Sequence, residues 1–301
     1  MAGLLGSTWT GSRAAAAEPP NPDNPKMRQN SQPGTQIRRY RADATILLFG
    51  MPVYRRGGVG GGQASVEQTK EGDATTHTLF FAGGSDAARA HGVHRIGWIR
   101  EVVREANSVP VEARYFGVLT APASDESLDH AKKAAAQPQS GPSVYNAVRG
   151  QNTPGDSRSA VAHFELSSAA QWFDRRLIEA AEAAFQENPE WRQTSWPKAG
   201  SQTPPTFLFE LARLLREREP RGVGRYVYNE QEYRLEIDRT QRATAEDQAA
   251  GLRPVHGKIR NLRTGSQNTF TLWLDEASGS IVPIRIEYQP RSFLRLVFEA
   301  A

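Results

Sequence analysis

The sequence predicts an α+β protein: a curved antiparallel β-sheet forming a half-barrel, with helices packed on its concave side. Three observations carry this. The last stretch, TFTLWLDEASGSIVPIRIEYQPRSFLRLVFEA (residues 269–300), alternates apolar and polar residues, breaks at Ser-Gly and alternates again. That period of two puts one apolar face on each strand. An early block, YRADATILLFGMPVYRRGGVGGGQASVEQ followed by THTLFFAGG, has the same strand-and-turn character. Between them lie amphipathic segments with helix-start signals.

In chain order, residues 1–37 are rich in Pro, Asn, Gln and Gly without apolar periodicity. Such a segment cannot bury enough surface to offset the entropy of ordering it, so a disordered tail is expected. Residues 38–301 read as one domain holding three helices. Ala44 to Phe49 reads as a strand, Gly57 to Gly62 as a glycine turn and Gln63 to Gln68 as the returning strand. SDAARAHGVHRIGWIREVVREA is ambiguous: Val93, Ile96, Ile99 and Val103 fit a helical face that Gly92 and Gly97 weaken. EARYFGVLTAP is a short strand. SDESLDHAKKAAAQ is a helix, with Ser124 as cap, Asp125 and Glu126 in its first turn and Lys132 and Lys133 at its carbonyl end. Residues 136–158 form a flexible insertion, and SAVAHFELS a further strand.

Ser168 and Gln171 have capping-box spacing ahead of a helix whose Phe173, Leu177, Ala181 and Ala184/Phe185 share one side. A third helix starts after Thr203-Pro204-Pro205, with Phe207, Leu208, Leu211, Leu214 and Leu215 as its stripe. The remainder alternates as strands: GRYVYN, QEYRLEIDRT, VHGKIRNLR, NTFTLWLDE, VPIRIEYQP and SFLRLVFEA. Each is apolar on one face, the signature of an antiparallel sheet.

Composition narrows the function. The chain has 301 residues, 38% hydrophobic and 23% charged, enough to bury a core. It has no cysteine, which excludes disulfides, thiolate metal sites and cysteine nucleophiles. The net charge is +4, but 33 acidic residues are interspersed with 37 basic ones. No basic block of the kind that grips nucleic acid stands out, which argues against such a partner. No stretch reaches the ~18 apolar residues of a transmembrane helix. The N-terminal MAGLLGSTWTGSRAAAAEPP ends in small residues, Ala15 to Ala17 before Glu18, like a signal-peptidase site, but lacks a basic start and an apolar core. A remnant signal peptide and a plain tail both fit.

Chemical motifs are missing. Gly57 and Gly62 have Walker spacing, but Gln63 and Ala64 stand where Lys and Ser/Thr would hold phosphate and magnesium. His91 and His94 are three apart without a third metal ligand nearby, and no G-x-S-x-G elbow exists. A non-enzyme without cofactor or metal is expected. Two or more of His77, His91, His94 and His163 meeting in one pocket would revive an enzyme. Trp172, Trp191, Trp196 and Trp273 are read as core or as a cavity lining. Arg285, Arg291 and Arg295 fall on the last hairpin, with Arg285 facing solvent.

The C-terminal third resembles an uncharacterised bacterial envelope family, domain of unknown function 3108. The likeness is carried by TFLFELARLL, GRYVYNEQEYRLEID, FTLWLDE and VPIRIEYQPRSFLRL, and by the early strand-glycine-strand block. The resemblance implies a shape similar to the periplasmic lipoprotein carriers, whose helices close a half-barrel over an apolar cavity. It also implies a periplasmic or secreted location, against a cytoplasmic one if the N-terminus is complete as given. It carries over no catalytic residue.

The expected function is binding of a lipid or other apolar ligand between sheet and helices. The residues expected to line that site are Phe207, Leu211, Leu215, Phe270, Leu272, Trp273, Ile284, Ile286 and Leu296. The alternative is a structural protein that docks an envelope partner through its sheet.

Overall fold

The alternating segments fold as fourteen antiparallel strands of one sheet in a computed structural model. The structure describes residues 34–48, 51–86, 89–90, 95–121, 143–166, 174–187, 192–195, 202–217, 219–291 and 294–301, all within the unit Pro33–Ala301. The N-terminal half supplies β1 (Gln36–Leu48), β2 (Met51–Glu71), β3 (Ala74–Ser85), β4 (Ile96–Ala106), β5 (Val109–Thr120), β6 (Ser143–Thr153) and β7 (Asp156–Leu166). Helix α1 (Arg175–Glu187), the short β8 (Arg192–Ser195) and helix α2 (Phe207–Glu217) follow. Then come β9 (Arg221–Tyr228), β10 (Gln231–Asp238), the one-turn α3 (Ala245–Ala249), β11 (Leu252–Asn261), β12 (Gln267–Asp275), β13 (Arg285–Arg291) and β14 (Leu294–Ala300).

Each half is a meander. The halves join where β1 pairs with β14, from Tyr40↔Ala300 to Ile46↔Leu294. The strand order runs from β8 down to β1, then from β14 down to β9, so β8 and β9 are the sheet's edges. Helix α2 packs on β9 and β10 and also on β3 and β4, which lie far away in that order. One short helix reaches all four because the sheet curls into a nearly closed, barrel-like form.

The face that α2 covers is termed inner. Cross-strand partners share a face, so the inner face can be followed by register. Leu79 pairs with Glu101, Glu101 with Tyr115 and Tyr115 with Gly150. Around α2, one core cluster joins Leu214 and Leu215 to Tyr226, Leu235, Val255, Phe270, Leu272, Ile286 and Phe298. A smaller one joins Phe209 and Ala212 to Leu79, Val103 and Ala113.

Several expectations are corrected. The helices do not share the concave side. Leu177, Ala181 and Phe185 of α1 pack with Ala82, Trp98, Phe116, Val118, Tyr145 and Ala147. In β3 and β5 these are the residues of opposite parity to Leu79 and Ala113, so α1 lies on the outer face. The glycine run is not a turn. Residues 57–62 sit inside β2, because a Cβ at Gly60 would lie 1.9 Å from the Gly84 carbonyl oxygen across the ladder. Gly58 has φ +64° beside a bulge at Asp43, whose Oδ1 accepts its N–H at 2.7 Å. The expected insertion is ordered from residue 143 onward: β6 and β7 form a hairpin turning at Pro154-Gly155, with Gly155 at φ +72°. The ambiguous segment resolves as strand β4, pinned on both sides by β3 and β5. The helix expected over 124–137 and the capping box at Ser168 lie outside the described residues.

Candidate functional site

The nine residues expected to line a site do not all converge. Leu215, Phe270, Leu272 and Ile286 are buried in the cluster around α2, with Phe207, Leu211 and Leu296 packed on its margin. Trp273 is on the outer face, where the Arg285 guanidinium stacks 4.5 Å from its ring. Arg285 is thus a packing residue rather than a freely solvated one. Ile284 precedes β13 and acts through its backbone, donating to the Trp273 carbonyl at 2.7 Å and accepting from Ala300 at 2.9 Å. Trp172, Trp191 and Trp196 lie outside the described residues.

The inner face has two regions with different cover. One register row runs Tyr40, Gly62, Gly83, Gly97, Leu119, Asn146, His163 across β1 to β7. The Phe298 ring from β14 lies over the first two glycines: a Cβ at Gly62 or Gly83 would meet it at 3.1 and 2.9 Å. Over Gly97 the nearest atom of a described residue is Leu119 Cδ1, at 3.5 Å. Beyond it Leu119 is 56% exposed and Val144 39% exposed. Among the described residues nothing covers this apolar stretch of inner face on β4–β6, next to one that Phe298 and α2 fill.

Polar groups border this stretch. Glu101 of β4 is fully buried one inner-face pair from Gly97's neighbour Ile99, and caps α2 from across the barrel. Its carboxylate accepts from Thr206 Oγ1 (2.6 Å), Leu208 N (2.9 Å) and Phe209 N (2.9 Å). A carboxylate at a helix N-terminus satisfies amides that have no partner within the helix. Burial nevertheless pushes its pKa up to about 7, outweighing those hydrogen bonds. Beside it the Tyr115 and Tyr228 rings meet at a tilt with centroids 5.0 Å apart, and Tyr226 stacks on Tyr233 at 5.0 Å. Burial drives all four phenols above their ordinary pKa, so they stay protonated and supply hydrogen-bond donors to the interior.

Among the described residues no group of three or more His, Cys, Asp or Glu side chains is placed to hold a metal ion. His77 is enclosed: Nε2 is 2.5 Å from Glu105 Oε2, Nδ1 is 3.1 Å from Gln68 Nε2, and the ring meets Phe209 edge-on. His163 bonds Asn146 at the other end of the face, and His91 and His94 lie outside the described residues. Sequence reasoning missed Glu101 and the tyrosines. The signal for the tyrosines was present, since Tyr226 shares parity with Tyr228 and Tyr115 shares it with Gly117. The signal for Glu101 was its place between Ile99 and Val103 in a strand read ambiguously.

No family model matches the chain, and no curated protein matches it. Among solved structures, it is similar to the crystal structure of a beta-barrel-like protein of domain of unknown function DUF1849 from Brucella abortus. The identity is 8%, the match covers 88% of this chain and 95% of that one, and the TM-score is 0.44. The strand order, with the reach of α2 across the curled sheet, makes this a mostly antiparallel, barrel-like β structure.

Proposed function

We propose that this is a non-enzymatic binding protein that holds a lipid or other apolar molecule inside the barrel, against the inner face of β4–β6. One observation carries the reading: among the described residues nothing covers the apolar inner face around Gly97, Leu119 and Val144, next to the part that α2 and Phe298 pack. An apolar wall bordered by a few hydrogen-bond donors is the usual composition of a small-molecule site. Here the donors are the protonated phenols of Tyr115, Tyr226 and Tyr228. The resemblance to the domain-of-unknown-function 3108 family supports a periplasmic or secreted location, which cell fractionation tests.

The direct test is native mass spectrometry with lipid extraction, followed by titration with the fluorescent probe N-phenyl-1-naphthylamine. The parent protein is expected to carry an amphiphile and to bind the probe. Gly97→Leu fills the uncovered stretch from a position with room for a Cβ. It is expected to keep the parental melting temperature and weaken probe binding at least tenfold. A ligand-free parent that ignores the probe, or equal binding by Gly97→Leu, sinks the reading. The first result would leave docking of an envelope partner through the sheet as the remaining reading.

A further inference from the structure

A barrel closed by backbone ladders throughout has no preferred place to open. This one has such a place. Among the described residues, strands β8 and β9 are both edges and are not paired with each other. The sheet's two ends are fastened by α2, the segment before it and a set of side chains. Glu101 of β4 holds Thr206 and the Leu208 and Phe209 amides. Asn152 Nδ2 of β6 donates to the Pro204 carbonyl at 2.9 Å, and the Gly155 amide donates to the Gln202 carbonyl at 3.0 Å. The β9–β10 turn is held the same way: the Asn229 amide donates to Tyr115 Oη at 2.9 Å, and Ser159 Oγ donates to Glu230 Oε1 at 3.3 Å. The Tyr228 hydroxyl lies over Gly117, where a Cβ would be 2.8 Å from it.

The contacts of α2 are lopsided. Helix α2 places Phe207, Leu211, Leu214 and Leu215 in the large cluster that joins Tyr226, Leu235 and Leu272 of the C-terminal half to Tyr40, Ala64 and Phe81 of the N-terminal half. Toward the N-terminal half it presents Phe209 and Ala212 to Leu79, Val103 and Ala113. More of α2 lies against β9 than against any strand of the N-terminal half, so α2 is grouped with β9 and β10.

We propose that the barrel opens along this seam, with α2, β9 and β10 moving away from β4–β7 as one body, and that the opening admits the apolar ligand to the inner face. The admission rests on the binding reading above; the opening does not. The seam borders the uncovered stretch, since Tyr115 and Gly117 on β5 lead directly to Leu119.

Hydrogen exchange reads the opening without any ligand. The amides of Leu208, Phe209 and Asn229, whose acceptors are seam side chains, are expected to exchange at least tenfold faster than ladder amides of β1–β3. Exchange as slow as in the ladders overturns the proposal. The chain has no cysteine, so a Ser159→Cys/Glu230→Cys variant carries two thiols alone, placed on either side of the seam. Bridging them with dibromobimane is expected to slow uptake of N-phenyl-1-naphthylamine at least tenfold and to slow seam exchange. Single-cysteine variants blocked with monobromobimane are expected to behave like the parent. Uptake by the bridged protein at the parental rate overturns the seam as the route. A parent protein that takes up no probe defeats the binding reading and the admission together, and exchange alone then decides the opening.

Discussion

Glu101 shows how one residue couples distant parts of the chain. Its backbone belongs to β4, yet its carboxylate organises the start of α2. Burial raises its folded-state pKa from 4.5 to about 7. The titratable groups facing it are Tyr115, Tyr226 and Tyr228, which stay neutral, with His77 and the Glu210–Arg213 pair further along. A raised pKa means the folded state binds the proton more tightly than the unfolded chain. This group's contribution to stability is therefore fully present below pH 4.5 and is lost as pH rises through about 7. At ~1.4 kcal/mol per tenfold, the loss is of order 3 kcal/mol. Glu101→Gln should remove that pH dependence while costing about 1–3 kcal/mol at low pH, because its amide meets donors where an acceptor is needed. Urea unfolding of both proteins from pH 4 to pH 8 checks this, and parallel curves would refute it. The role was not legible in the sequence. Alternation around Ile99 and Val103 allows an inward Glu101, but its partners are more than a hundred residues away.

At the scale of elements, the strands were the readable part, and the β9–β14 segments lie close to where alternation places them. The error was to give the sheet a single buried face. THTLFFAGG holds the correction: Leu79 and Phe81 point in, Phe80 and Ala82 point out, and all four are apolar. A run without alternation marks a strand covered on both sides. Of the predicted stripe, Phe207, Leu211, Leu214 and Leu215 share one cluster, whereas Leu208 packs with Phe209 and Ala212, off that stripe, toward β3–β5. Because α1 and α2 sit on opposite faces, their core residues share no cluster. Leu177→Ala and Leu214→Ala, at 2% and 1% exposure, should each cost about 2–5 kcal/mol. The double variant should lose the sum to within about 0.5 kcal/mol. A coupling well above that, measured in urea, would place the two helices on one core.

For the whole molecule, the decisive junction is β1 with β14, the first strand with the last. It converts two meanders into one curled sheet, and Phe298 clamps it by reaching over Gly62 and Gly83 and meeting Phe81 edge-on at 6.0 Å. Such a contact closes nearly the whole chain as a loop, so its entropy must be overcome before it contributes, and non-local sheets fold slowly for this reason. Among the described residues neither half has another partner for its β1 or β14 edge. Phe298→Ala should therefore cost about 3–5 kcal/mol, at the upper end for a core aromatic. A chain ending at Arg291 should lose cooperative unfolding altogether. Full-length protein should show coincident urea transitions by circular dichroism and by tryptophan fluorescence, since Trp98 and Trp273 lie in different halves of one sheet. The truncated chain should show broad, non-coincident transitions and bind hydrophobic dye, because its two central edges and the row around Gly62 are uncovered. If the truncated chain instead unfolds in one sharp transition near the parental midpoint, the halves are independent and the β1–β14 ladder is not what makes the sheet one structure.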